Sequence, residues 1–263
     1  MRADLPAIVQ ANGTKRDIRL QPIKPTATLS GELNRILVKP VTIWREQSKA
    51  IIAEYDATIS ETDTSNVSSV QHRIEHAAIL AASIITAARI SISHYAFRVE
   101  TWQRARWINT VRAATTLDIS HIVQSAQVIG ELQTSVARNV ALIKDISDQT
   151  QSRVSDAVFR GIQQRTPTAE VAREIAKIMK VSDKRANLIA KDQLAKLLST
   201  LQRVRMQQMG IDQYIWQHSG KVHFRPVHKI RNGLIYTLGD PKGDEPGMAP
   251  YCGCSRIPLI PKK

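Results

Sequence analysis

Apolar residues recur at helical spacing over most of the chain, and the pattern changes character only once, at Gly210. From Val67 to about Thr116 glycine and proline are almost absent. Val70, Ile74, Ala77, Ala78, Ala81, Ile84, Ile85, Ala88 and Ile92 fall on a helical repeat, which predicts one long helix or a pair. Further helices are expected over His121–Ile129, Gln133–Arg165, Thr168–Met179 and Ser182–Met209. Thr166-Pro167-Thr168 marks a break, and Thr168 and Ser182 stand as openings. Upstream, a helix is expected to open near Ser30 and to end or kink at Pro40. A second runs from Val41 to about Ile59, and the polar stretch Ser60–Asn66 reads as a linker. Residues 1–30, interrupted by Pro6, Pro22 and Pro25, read as an extended arm that a partner would order.

Beyond Gly210 the period shortens. YIWQ, KVHF and GLIYTL are short β-favouring runs separated by Ser219-Gly220 and Asn232-Gly233, and the Asn-Gly pair predicts a hairpin. A Pro/Gly-rich loop, PKGDEPGMAP, then leads to Cys252-Gly253-Cys254. The expected fold is mainly α, a long-helix body with a small C-terminal α+β, hairpin-containing domain. Its expected divisions are an arm over 1–30, a helical region over 31–120, a second helical part over 121–209 and a β-rich cap over 210–263.

Charge changes this picture. The net charge of the 263 residues is +14, and residues 151–263 carry +11 of it against +3 for residues 1–150. The C-terminal part is therefore suited to polyanions: nucleic acid, an acidic protein surface or an anionic membrane. Lys180, Lys184, Arg185, Lys196, Arg203, Arg205, Lys221, Arg225, Lys229 and Arg231 are candidate phosphate contacts, or else a solvated or salt-bridged face. Aromatic content is only 5%, so the core is expected to be aliphatic, with Trp102 and Trp107 as packing anchors rather than a base-stacking platform. The N-terminus lacks a secretory h-region, and the run Ala77–Ala88 is too short to span a bilayer, so no membrane partner is expected.

Both cysteines stand one residue apart, too close for an unstrained disulfide, and His218, His223 and His228 lie shortly upstream. Thiolates and imidazoles are zinc donors. Cys252 and Cys254 could chelate together, His228 supply a third ligand, and His223 or His218 a fourth. The alternatives are two small buried thiols beside a hydrogen-bonded His228, with no cofactor, or a metal-free RNase-like site. In the latter the histidines act as acid and base and Arg225 or Lys229 stabilises charge.

The order of motifs carries a resemblance. RA-x-LIA-x-DQ is followed by G-I-x-x-Y-x-W, then R-P-x-H-x-x-x-N-G, an aromatic-containing strand, and C-x-C before a proline. Over roughly residues 100–260 this resembles the phage Mu F-like head morphogenesis domain. The matching positions are Arg185, Ile189, Ala190, Asp192, Gln193, Gly210, Trp216, Arg225, His228, Gly233, Cys252 and Cys254. The family often has an acidic residue in the loop after the Trp strand, where this chain has Gly220 and Lys221. It often has Asn before the first cysteine, where Tyr251 stands here. The resemblance implies a non-enzymatic minor head protein of a tailed phage or prophage. Such a protein works in the capsid interior near the portal vertex, and in the host cytoplasm during assembly. Its implied partners are the portal protein, the major capsid or scaffold protein and packaged DNA. The alternative is a sequence-independent nucleic-acid-binding protein unrelated to virions.

Overall fold

A computed structural model describes residues 3–13, 16–60 and 67–262. Among the described residues there are seven α-helices and one four-stranded antiparallel sheet. The helices are α1 (Leu5–Ala11), α2 (Ala27–Leu37), α3 (Lys39–Ser60), α4 (Val67–Thr115), α5 (Ile129–Gln164), α6 (Thr168–Gln208) and α7 (Pro226–Ile230). The strands are β1 (Ile18–Arg19), β2 (Gln213–Gln217), β3 (Ile235–Thr237) and β4 (Ser255–Ile260), in sheet order β1-β4-β2-β3. The mainly α class with a small α+β part is as expected.

The chain forms two compact units, which regroup the four expected divisions. One comprises residues 31–92 and 136–190, the other residues 1–30, 93–135 and 191–263. The described residues of the first are helical apart from short turns. Trp44 is buried and donates to Ser147 Oγ at 3.1 Å, and the Tyr55 hydroxyl donates to the Thr166 carbonyl at 2.5 Å. Buried polar groups in a helical core need such partners, because an unpaired one costs about 1–3 kcal/mol. The expected break at Ser182 is absent, and α6 runs through it. Ser182 is buried and its hydroxyl pairs with Thr150 Oγ1 at 2.9 Å, so it serves packing rather than capping. Nor does α2 open at Ser30. Its first turn is capped four residues earlier, where Thr26 Oγ1 accepts from Leu29 N at 3.2 Å. Pro40 stands at the expected boundary: α2 ends at Leu37, and Pro40 falls in the first turn of α3, where no backbone donor is missed. Residues 61–66 of the expected linker lie outside the described residues.

α4 is a single 49-residue helix. It contains an 18-residue window of mean hydropathy 1.5 of which 28% is buried, long and apolar enough by composition to cross a membrane. The apolar run is longer than Ala77–Ala88 read alone, because flanking alanine, isoleucine and serine extend it, but length and composition by themselves do not assign it to a membrane. Val70, Ile74, Ala77 and Ala81 are buried, while Ile79 (68%) and Ile90 (64%) are exposed.

In the second unit, residues 3–13 and 16–30 are not an extended arm. Asp4 Oδ1 caps α1 by accepting from Ala7 N at 3.0 Å, and Pro6 occupies the first turn. β1 pairs antiparallel with β4, Ile18 opposite Ile260 and Arg19 opposite Leu259. Leu5, Val9, Leu20 and Ile23 join Trp107, Met206, Tyr214, Trp216 and both cysteines in one core. The segment has few apolar residues, but Leu5, Val9, Leu20, Ile23 and Leu29 are buried, while Ile8 stays exposed.

The expected hairpin is also replaced. Pro226 has no N–H for a ladder, and the residues around it form the short helix α7 instead of a strand. The strand antiparallel to β2 is β3, with Tyr214 opposite Tyr236 and Ile215 opposite Ile235. Asn232-Gly233 turns α7 into β3. Gly233, at φ +84°, donates to the Trp216 carbonyl at 2.8 Å, and Asn232 Oδ1 accepts from His218 N at 2.8 Å. The expected helix over His121–Ile129 is a turn followed by one 3-10 turn, Ser125–Val128, that leads into α5.

Candidate metal centre

The two cysteines reach the core because β4 is inner, between β1 and β2, and they immediately precede it. The loop before them is held from α6. Asp192, 8% exposed, accepts from Tyr251 N at 2.6 Å through Oδ1, and from Lys196 Nζ at 2.6 Å through Oδ2. Arg256, in β4, is 1% exposed. It donates to Ser199 O at 3.1 Å, to Ser199 Oγ at 2.6 Å and to Glu245. These contacts fix the loop at both ends.

Cys252 (5% exposed), Cys254 (7%) and His228 (2%) then converge, with their donor atoms all within 4.8 Å of one another. His228 Nδ1 lies 3.4 Å from Cys252 Sγ and 3.7 Å from Cys254 Sγ. Its Nε2 lies 3.1 Å from each oxygen of Asp244. Arg231 donates to Asp244 Oδ2 at 2.6 Å. An ionised carboxylate only accepts, so Asp244 selects the tautomer with the proton on Nε2 and leaves a lone pair on Nδ1 toward the sulfurs. Burial pushes the Asp244 carboxyl upward, but the hydrogen bonds from Arg231 and His228 outweigh it and hold the group below the ordinary carboxylate value. The two thiols share a hydrogen bond. It pulls Cys252 well below the usual thiol value and, with burial, pushes Cys254 up. Trp216 packs edge-on to the His228 ring at 5.0 Å between centroids.

Asp244 was not legible beforehand. It lies in the Pro/Gly-rich loop and not in the loop after the Trp strand, where Gly220 and Lys221 stand. His223 does not join the cluster of donors. It is exposed, because residues 221–227 form the rim rather than a buried strand. His218 borders the same small pocket as the cluster, and its Nε2 is buried with no hydrogen-bond partner.

Tyr251 occupies the left-handed region at φ 57°. There asparagine is far better tolerated than a bulky side chain, which gives a physical reason for Asn at this position in the family. Tyr251 is 53% exposed, so little packing is lost on replacement. Tyr251→Asn is expected to raise the unfolding free energy by about 0.5–1 kcal/mol, read as a higher thermal midpoint. An unchanged or lower midpoint would refute the strain.

The candidate phosphate contacts separate by environment. Arg205 is fully buried against Glu100 at 2.6 Å and is not available to a phosphate, which corrects that assignment. Lys196 is paired with Asp192 at 2.6 Å and Arg203 with Glu131 at 3.5 Å. Arg185 is paired with Asp145 at 2.6 Å, and Arg231 is engaged by Asp244 and lies 5.0 Å from the Trp216 ring centre. Lys180 and Lys184 are exposed on α6. Lys221, Arg225 and Lys229 are exposed around α7, with Lys229 Nζ 5.2 Å from the Phe224 ring centre. Of the two tryptophans on α4, Trp107 is buried as a packing anchor, and Trp102 is partly buried beneath Arg106 at 4.8 Å.

Residues 152–257 match the family described as Phage Mu protein F like protein. An uncharacterized protein of Haemophilus influenzae (strain Rd) is 30% identical over 149 residues, which are 56% of this chain. That match takes in 33% of the relative, so the chain spans about a third of its length. No solved structure matches the chain. The matched segment contains α6, β2, α7, the cysteine pair and the residues that position them, so over residues 152–257 the chain is similar to the Phage Mu F-like family.

Proposed function

We propose that the chain is a non-enzymatic minor head protein of a tailed bacteriophage or prophage. It binds the portal protein and the procapsid interior, where it contacts the major capsid or scaffold protein. There it assists head assembly, DNA packaging or ejection. The observation that carries this reading is the family match over residues 152–257. Two surface features support it. α4 exposes Ile79 and Ile90, apolar positions of the kind a protein partner covers. The rim around α7 exposes Lys221, Arg225 and Lys229, cations that would neutralise phosphates of packaged DNA without reading its sequence.

Co-expression with the portal protein of the same genome, followed by light scattering of the purified complex, tests the proposal. The expected result is a stable complex with few copies of this chain per portal ring. DNA binding is expected to weaken steeply with salt, and Lys221→Ala, Arg225→Ala and Lys229→Ala each to shallow that slope by about one. Tight, salt-sensitive DNA binding without any portal complex would sink the head reading in favour of a nucleic-acid-binding protein unrelated to virions.

A further inference from the structure

We infer that His228 Nδ1, Cys252 Sγ and Cys254 Sγ hold a structural zinc ion, oriented by Asp244. The geometry carries the inference. Zinc binds thiolate at about 2.3 Å and imidazole at about 2.0 Å, so tetrahedral angles place the nitrogen about 3.5 Å from each sulfur. The observed separations are 3.4 and 3.7 Å. Two thiols and an imidazole are therefore already spaced as the three ligands of one ion, although C-x-C brings only the two sulfurs together and His228 arrives from a separate helix.

The surroundings are those of a metal site as well. A ligating histidine commonly gives its other N–H to a carboxylate, which fixes the ring and leaves the ligating nitrogen unprotonated. Asp244 does this, anchored in turn by Arg231 at 2.6 Å. The cluster borders a small pocket that His218 and His223 both line; His218 Nε2 is buried and unpaired, whereas His223 is exposed, which favours His218 for the fourth position. The cap needs such a clamp. Its strands are three to six residues long, and the loop from Asp240 to Tyr251 has no regular structure of its own. An ion would tie α7 to the start of β4 and close that loop, so that binding contributes to folding. Donor spacing and the groups around the site owe nothing to the proposed head role, so the site stands or falls separately.

The test uses the full chain purified under thiol reductant. Elemental analysis is expected to find about one zinc per chain. Replacing the zinc with cobalt is expected to give the intense d–d absorption of a tetrahedral ion with thiolate charge-transfer bands, a readout that requires no variant. Cys252→Ser, Cys254→Ser and His228→Ala are each expected to lose the metal. His223→Ala is expected to retain it, and Asp244→Asn to bind it about 10–100-fold more weakly. A wild-type chain without stoichiometric zinc, a cobalt spectrum lacking thiolate bands, or loss of metal in His223→Ala would each overturn the proposal.

Discussion

Replacing Arg205 by alanine is expected to lower the unfolding free energy by about 3–5 kcal/mol. Arg205 and Glu100 are both fully buried, 2.6 Å apart. The guanidinium also donates to the Gln124 carbonyl at 3.0 Å and to Gln208 Oε1 at 3.1 Å, and Ser125 Oγ donates to Glu100 Oε2 at 2.9 Å. Burial pulls the Arg205 pKa down, and Glu100 opposes that shift. Truncating the arginine strands a carboxylate in the core with the hydroxyl of Ser125 and a more exposed Arg104 at 3.5 Å. The pair itself contributes less than its loss would imply, because both ions were desolvated to form it. Glu100→Leu with Arg205→Met should therefore recover most of the lost stability. Urea unfolding followed by tryptophan emission reads this unit well, since Trp102, Trp107 and Trp216 lie in it and Trp44 lies in the other. Lys221→Ala, at an exposed rim position, is the control and should move the midpoint little. If Arg205→Ala kept its stability and lost DNA affinity, the buried pair would be the wrong account of this residue.

That contrast shows where the sequence was legible. Arg205 and Lys221 are indistinguishable as entries in a charge count. What separates them is a partner 105 positions away, Glu100, on a helix whose polar residues look solvent-facing when read alone. Local signals did better. The absence of proline and glycine from Val67 to Thr115 predicted α4, and Gly210 marked the change from helix to strand. The β2 run Gln213–Gln217 was visible from its aromatic and β-branched residues. Signals that depended on pairing across the chain failed. β1 is two residues long and exists because β4 offers it an edge, and β4 was hidden by Pro258 in its middle. Pro258 nevertheless contributes its carbonyl, which accepts from Leu20 N at 2.9 Å. For the site, the cysteines and His228 could be named from residue type and proximity. Asp244 could not, because the tautomer of a histidine is set by what sits behind its ring, and that is a property of the fold.

Trp216→Ala is the second large loss expected, about 3–5 kcal/mol. The indole is fully buried on β2. It packs against the Tyr236 ring at 5.9 Å and the His228 ring at 5.0 Å, with the Arg231 guanidinium 5.0 Å from its centre. Its removal opens a cavity directly under the histidine and takes away the aromatic face on which Arg231 rests. Arg231 is also the residue that anchors Asp244, so one substitution loosens the ring and the carboxylate that orients it. Two readouts should therefore move together, the urea midpoint and the affinity for zinc measured by competition with a chelator. Trp216→Phe retains an aromatic ring against His228 and Tyr236, so it should keep most of both. Loss of stability with unchanged zinc affinity would mean that the indole fills the core without positioning His228. An unchanged midpoint would mean that the cap does not depend on this tryptophan at all.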